Sequence, residues 1–209
     1  MLIAAIGIPG CGKSTVMRLF GETIGAPTFL EPEEEKWPDA IKNREKIGYF
    51  NSIHAFRCIR VPDLYKASDI SKAGGVAIVD TYCDKLCGHW LGRPGMEWLL
   101  RPDDPYFSNF KDTALLDYKH LPDADVLIAF HVGKKDWTKM IAARGRTLDV
   151  QTQIAEQFDT QQYFQQASET YVSERQGKCK LIGFENPFGA PSEAVQKLRD
   201  AISAAGIHL

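Results

Sequence analysis

The sequence predicts an α/β domain in which a five-stranded parallel sheet lies between two layers of helix, a three-layer α/β/α arrangement, and three observations carry that expectation. Strand-like apolar runs at Leu2–Ile8, Pro27–Leu30, Gly75–Thr81, Asp125–Val132 and Lys178–Phe184 alternate with amphipathic stretches, a pattern that places helices on both faces of a parallel sheet. The first run is short, uncharged and continuous, as a strand buried on both faces should be. It leads directly into Gly7-Ile8-Pro9-Gly10-Cys11-Gly12-Lys13-Ser14-Thr15, a glycine-rich turn between strand and helix.

That turn fills all four fixed positions of G-x-x-x-x-G-K-[ST], the P-loop. Val16, Leu19, Phe20 and Ile24 then fall on one side of a helix. Glycines let the backbone curl until consecutive N–H groups point at a phosphate, and the helix N-terminus adds partial positive charge. Gly7, Pro9, Gly10, Cys11, Gly12, Lys13, Ser14 and Thr15 are therefore the expected nucleotide cradle. Lys13 would reach the β- and γ-phosphates, and the Ser14 hydroxyl would hold Mg²⁺.

In an open parallel sheet, ligands sit beyond the carboxyl ends of the strands. The second strand ends in Leu30-Glu31-Pro32. A carboxylate at that tip suits a general base that takes the proton of a hydroxyl attacking a γ-phosphate. The rival reading is a solvated acid opening the run Glu33-Glu34-Glu35. After the third strand stands Asp80, suited to supporting Mg²⁺ or, with Thr81, to capping a helix. After the fourth, a helix runs out at Gly145 between Arg144 and Arg146, either an ordinary C-terminal cap or a lid whose guanidinium groups neutralise a transferring phosphate. Beyond the fifth, Asn186-Pro187-Phe188 reads as an adenine-flanking turn or as a plain strand-to-helix turn.

Composition narrows the partners. The 209 residues, 44% hydrophobic and 25% charged, make one domain with an ample core. A formal charge of −2 and a pI near 6.2 argue against a nucleic-acid polymer or an anionic membrane as partner. No apolar run approaches the roughly 18 residues of a membrane helix. Cys11, Cys58, Cys83, Cys87 and Cys179 form an odd set without C-x-x-C spacing, and the N-terminus enters a strand without a signal-like segment. The expectation is a reduced, cytoplasmic protein with buried thiols and no zinc site.

Taken together, the P-loop, Leu30-Glu31-Pro32 with Lys36-Trp37, Tyr49-Phe50-Asn51, Tyr82-Cys83-Asp84, Leu121-Pro122-Asp123-Ala124-Asp125 and Arg144-Gly145-Arg146 resemble, in order and over nearly the whole chain, the deoxynucleoside kinase family within the thymidylate kinase-like P-loop kinases. The resemblance implies a single P-loop kinase domain over residues 1–209 with a short lid at about 136–150, using ATP and Mg²⁺ to phosphorylate the 5′-hydroxyl of a deoxynucleoside. Glu31 would be the base, with Lys13, Arg144 and Arg146 as the other catalytic groups and Ser14 and Asp80 at the metal. Trp37, Asn51, Arg57, Arg60 and Asp84 would line the acceptor pocket, and a homodimer is implied because relatives are often dimers.

The departures matter. Asp80-Thr81-Tyr82 lacks the arginine the family carries after its third strand, Trp37 lies one residue further from Glu31 than the family pattern, and Asn51 is shorter than the family's Gln. Trp90 and Trp98, in the Gly- and Pro-rich stretch Gly88–Pro105, look exposed and suited to covering substrate or meeting a partner subunit. Two rival functions stay open: a nucleoside monophosphate kinase, for which Arg57, Arg60 and Arg101 would supply cations, and a nucleotide-binding regulatory module without catalysis.

Overall fold

The computed structural model describes residues 1–146, 149 and 157–209. Its five strands are β1 (Leu2–Ile6), β2 (Thr28–Phe29), β3 (Ala77–Val79), β4 (Val126–His131) and β5 (Lys180–Glu185), all parallel in the order β2-β3-β1-β4-β5. All five expected strands are present. β1 stops at Ile6 rather than Ile8 because Gly7, at φ 152°, already begins the loop. Its central place explains its composition: Ile3 pairs with Ile78 on one side and Val126 on the other, and all five of its residues are buried. β5 lies at the edge and alternates exposed with buried residues over its second half.

Helices cover the sheet as an α/β/α sandwich requires. α1 (Lys13–Ile24) buries Val16, Met17, Phe20 and Gly21, and ends at Gly25, whose φ of 68° is the left-handed conformation of a helix C-terminus. The short helices α2 (Asp39–Lys42) and α3 (Arg44–Ile47) lead into the long α4 (Tyr49–Lys72), which lies against β1, β2 and β3. α5 (Cys83–Leu86) and α6 (Phe107–His120) precede β4, and α7 (Lys134–Arg144) follows it. α8 (Gln161–Glu174) packs on β4 and β5, while α9 (Pro191–Ala204) packs on α1 and β5.

Two features explain departures noted in the sequence. Tyr82 stands where an arginine-bearing segment was expected and is drawn into the core. Its hydroxyl donates to the Pro122 carbonyl at 2.7 Å and accepts from the Ala124 N–H at 3.0 Å, while Asp123 pairs with Lys85 and Arg175 at 3.0 Å each. The segment before β4 is thus bolted to the segment after β3. Trp90, expected at the surface, is fully buried with its ring centroid 4.4 Å from that of Phe164 on α8; it belongs to this chain's own core. The cysteines are free thiols, with Cys11, Cys87 and Cys179 buried and Cys58 exposed. Among the described residues no helix is long and apolar enough to cross a membrane.

The start of the P-loop tolerates no side chain, because a Cβ on Gly7 would lie 2.7 Å from the Phe130 carbonyl oxygen of β4. Gly7→Ala is expected to cost on the order of 2–3 kcal/mol, several degrees of melting temperature, through backbone strain and collision. Gly133→Ala, whose Cβ would meet nothing within 4 Å, should change stability by less than about 0.5 kcal/mol. Thermal denaturation of the two variants checks the contrast.

Candidate active site

A cavity of about 610 Å³ runs across the carboxyl ends of the strands, and each strand delivers one group to it or to its frame. β1 supplies the P-loop. Gly10 and Gly12 take φ 76° and 83°, which only glycine adopts without strain. The Lys13 ammonium folds across the loop and donates to the Gly7 and Ile8 carbonyls at 2.8 and 3.0 Å.

Two side chains hold the loop from outside. The Asn186 amide, just beyond β5, donates to the Cys11 carbonyl at 2.8 Å, and the Trp137 indole of α7 donates to the Pro9 carbonyl at 2.8 Å. α7 packs so closely that a Cβ on Gly10 would lie 2.2 Å from Ile141.

β2 and β3 meet at a carboxylate. Asp80 is 2% exposed, accepts from the Glu31 N–H at 3.2 Å and has the Ser14 hydroxyl beside it. Burial pushes its carboxyl up to about 6, with the Glu31 charge adding and Ser14 and Lys13 opposing. Ser14 and Asp80 fit Mg²⁺ as it binds with a nucleotide. That ion takes one or two protein oxygens and fills its octahedron with phosphate and water, so the lack of any cluster of three or more His, Cys, Asp or Glu among the described residues is no obstacle.

Glu31 projects from the tip of β2, its side chain 21% exposed, and receives Arg60 Nη1 at 3.2 Å. Arg60 comes from α4 and also grips Asp84 with two hydrogen bonds, 2.7 and 3.0 Å. Burial alone would depress the arginine, but Asp84 and then Glu31 outweigh it and hold its pKa well above the ordinary value. A cation therefore stands beside Glu31 although no arginine follows Asp80 in sequence.

Beyond Glu31 the wall turns aromatic. Trp37 is buried, donates its indole N–H to the Pro32 carbonyl at 2.7 Å and meets Phe56 edge-on at 5.2 Å. Ser52, Ile53, Phe56 and Arg60 line the cavity from one face of α4, with Trp98 and Leu99 facing them.

That helical phase corrects two expectations. Asn51 turns away from the cavity, exposed, and its amide returns to the Ile47 carbonyl at 2.7 Å. Arg57 is turned onto α6, where it holds Asp117 with two bonds of 2.7 Å. Asp84 does not reach the wall either; it stands behind Arg60. Arg101 lies over the Tyr49 ring at 5.6 Å and is also outside the wall.

At the end of α7, Gly145 takes φ 61° and closes the helix. Arg144 lies over the P-loop side and faces Asp149 at 3.5 Å, whereas Arg146 reaches Glu33 at 3.1 Å and covers the Trp37 ring at 5.1 Å. Of the lid expected at about 136–150, residues 147, 148 and 150 lie outside the described residues.

Sequence reasoning missed Arg44, Ser52 and Trp137. Arg44 sits in the charged run Asn43-Arg44-Glu45-Lys46, which reads as a solvated face, yet it is 3% exposed in the cavity wall.

No protein-family model matches the chain, and no curated protein is similar to it in sequence. Its structure is similar to that of deoxyadenosine kinase from M. mycoides with bound dATP, at TM-score 0.67 and 15% identity over 97% of this chain and all of that one. The same enzyme with bound dCTP matches at TM-score 0.58 and 16% identity over 98% of this chain and all of that one. Thymidylate kinase from Candida albicans matches at TM-score 0.58 and 13% identity, over 98% of this chain and 92% of that chain. The fold is thus that of the P-loop deoxynucleoside and nucleotide kinases.

Asp80 carries a stability cost whose sign is fixed by its shift. Its unfolded carboxyl ionises near 3.8 and its folded one near 6. Below 3.8 both states are protonated, stability falls as pH rises from 3.8 to 6, and above 6 the ionised group costs on the order of 3 kcal/mol. Asp80→Asn should therefore melt higher than the parent at pH 8, with the advantage shrinking as pH falls through 6 toward 4; melting curves across that range check it.

Proposed function

We propose that the chain is an ATP-dependent kinase that transfers the γ-phosphate to the 5′-hydroxyl of a nucleoside, most simply a deoxynucleoside. The observation that carries the proposal is the carboxylate of Glu31, held at a strand tip by Arg60 and fixed through its own N–H to Asp80 beside the P-loop. A hydroxyl acceptor must lose a proton as it attacks, and a positioned carboxylate accepts it.

Phosphoryl transfer needs positioning and charge neutralisation more than covalent chemistry. The P-loop N–H groups and Lys13 would bind the β- and γ-phosphates. Ser14, with Asp80 behind it, would hold Mg²⁺, which when bound would supply neutralising charge for the phosphates. Arg144 lies on the donor side and suits the developing charge on the transferring group, while Arg146 and Trp37 close the acceptor side against water. Arg60 orients Glu31 and tempers its charge, the service expected of the arginine that the segment after β3 lacks.

A monophosphate acceptor would need spare cations near Glu31. The three arginines that kept this alternative open are committed elsewhere: Arg60 to Asp84 and Glu31, Arg57 to Asp117, Arg101 to the Tyr49 ring outside the cavity; Arg44, which faces no carboxylate among the described residues, is sealed in the wall against the Trp98 carbonyl and the Tyr49 ring. The fit of the Ser14–Asp80 pair and of Glu31 to chemistry also speaks against a merely regulatory nucleotide site. The nucleotide-bound relatives share only the fold with this chain and support the reading to that extent.

Glu31→Gln should keep nucleotide binding within about threefold and lower kcat by about 10²- to 10⁴-fold, the usual worth of a general base. Lys13→Ala should weaken both nucleotide binding and turnover. ATP consumption with Mg²⁺ against a panel of nucleosides tests the pair, and a Glu31→Gln variant that turns over at the parent rate would contradict the assignment.

A further inference from the structure

The acidic run Glu33-Glu34-Glu35 reads in sequence as a solvated face, and the Glu33 side chain is 74% exposed. It nevertheless holds an arginine that is not. Arg146 Nη2 meets the Glu33 carboxylate at 3.1 Å, the arginine side chain is only 17% exposed, and its guanidinium lies 5.1 Å from the Trp37 ring centroid. Glu33, Trp37 and Arg146 all line the cavity.

The chain from Glu31 to Trp37 closes on itself. The Trp37 indole N–H returns to the Pro32 carbonyl at 2.7 Å, with the single helical turn Glu34–Lys36 between them. The proposed general base, Glu31, therefore stands two residues from Glu33, and the aromatic wall begins four residues beyond it. Arg146 arrives from a distant part of the chain and touches both Glu33 and Trp37, so it straps the mouth of the acceptor end.

Arg144, on the other side of Gly145, goes the opposite way: a Cβ on Gly10 of the P-loop would lie 3.6 Å from its Nη1. Gly145, at φ 61°, ends the helix between the two and separates their directions. A cation over a ring is held only loosely at a partly exposed site, and a carboxylate on its other side adds the direction that the ring lacks.

We propose that Glu33 is a positioning residue for the acceptor: it holds Arg146 across Trp37, so that this arginine closes the nucleoside end of the cavity and leaves the transferring phosphate to Arg144. The proposal rests on the nucleoside kinase reading and deepens it by dividing the Arg-Gly-Arg turn between the two substrates.

The test is steady-state kinetics with a nucleoside that the parent turns over, for Glu33→Gln, Arg146→Gln, their double variant and Arg144→Gln. Glu35→Gln, on an exposed residue of the same turn, is the control and should match the parent. Glu33→Gln should raise the nucleoside KM about two- to fivefold, the range of an exposed ion pair, with kcat and the ATP KM within about twofold of the parent. Arg146→Gln loses the ring contact as well and should raise the same KM about tenfold. The double variant should match Arg146→Gln, because Glu33 acts only through the arginine. Arg144→Gln should instead lower kcat. A nucleoside carries no net charge, so its KM at saturating ATP reports salt through the strap. Raising ionic strength from about 0.05 to about 0.5 M should increase that KM in the parent and leave Glu33→Gln unmoved.

A Glu33→Gln variant with the parent's nucleoside KM, or a double variant distinctly worse than Arg146→Gln, would overturn the proposal and leave the kinase reading standing. So would an Arg146→Gln defect confined to kcat or to the ATP KM. If no nucleoside is turned over, the kinase reading fails, and nucleoside binding without ATP, followed by tryptophan fluorescence, decides. The same order of affinities among the variants supports the strap, and affinities equal to the parent's, or undetectable binding, defeat it.

Discussion

The site is organised around the buried carboxylate of Asp80. From the end of β3 it accepts a hydrogen bond from the backbone of Glu31 at the end of β2 and lies beside the Ser14 hydroxyl at the start of α1, which favours its charged form. One side chain thus fixes the relative position of the phosphate cradle and the proposed base. Its location carries a penalty, since a carboxylate in this environment is held up near 6 rather than near 3.8. A fold selected for stability alone would place a neutral residue there. The retained charge is intelligible as support for a cation that arrives with the nucleotide.

The rest of the cavity follows from how its charges are distributed. Glu31 and Asp84 flank Arg60, and this arrangement lets one guanidinium orient the Glu31 carboxylate while its own burial is compensated on the other side. Arg144 and Arg146 divide the two ends of the cavity between them, one toward the P-loop and the other over Trp37. Against this background of paired arginines, Arg44 has no carboxylate partner within 4 Å among the described residues and is held instead by the Trp98 carbonyl and the Tyr49 ring.

Much of this was legible in the sequence. Five strands in order, the P-loop and the placement of Glu31 and Asp80 at strand ends follow from period, motif and the rule that ligands sit beyond the carboxyl ends of parallel strands. What could not be read was rotational phase and pairing across distance. Asn51 and Ser52 are neighbours in sequence, and only the packing of α4 decides that Ser52 faces the cavity and Asn51 the solvent. Arg57 and Arg60 lie one helical turn apart, yet one meets Asp117 on α6 and the other Glu31 and Asp84. The missing arginine after Asp80 looked like a loss; the structure shows Tyr82 taken by the core and the cation delivered from α4 instead. Arg44 was hidden because a short run of charged residues reads as surface unless a loop distant in sequence, here Trp98, covers it.

The central claim is that a hydroxyl, deprotonated toward Glu31, receives the phosphate. The most direct measurement supplies a nucleoside and its 5′-monophosphate together, with Mg²⁺ and ATP bearing heavy oxygen in its γ-phosphate, and reads the labelled products by mass spectrometry for the parent and for Glu31→Gln. The account predicts label in a nucleoside monophosphate, and its loss in the variant. Label in the diphosphate alone, or monophosphate formed equally well without the Glu31 carboxylate, would contradict it.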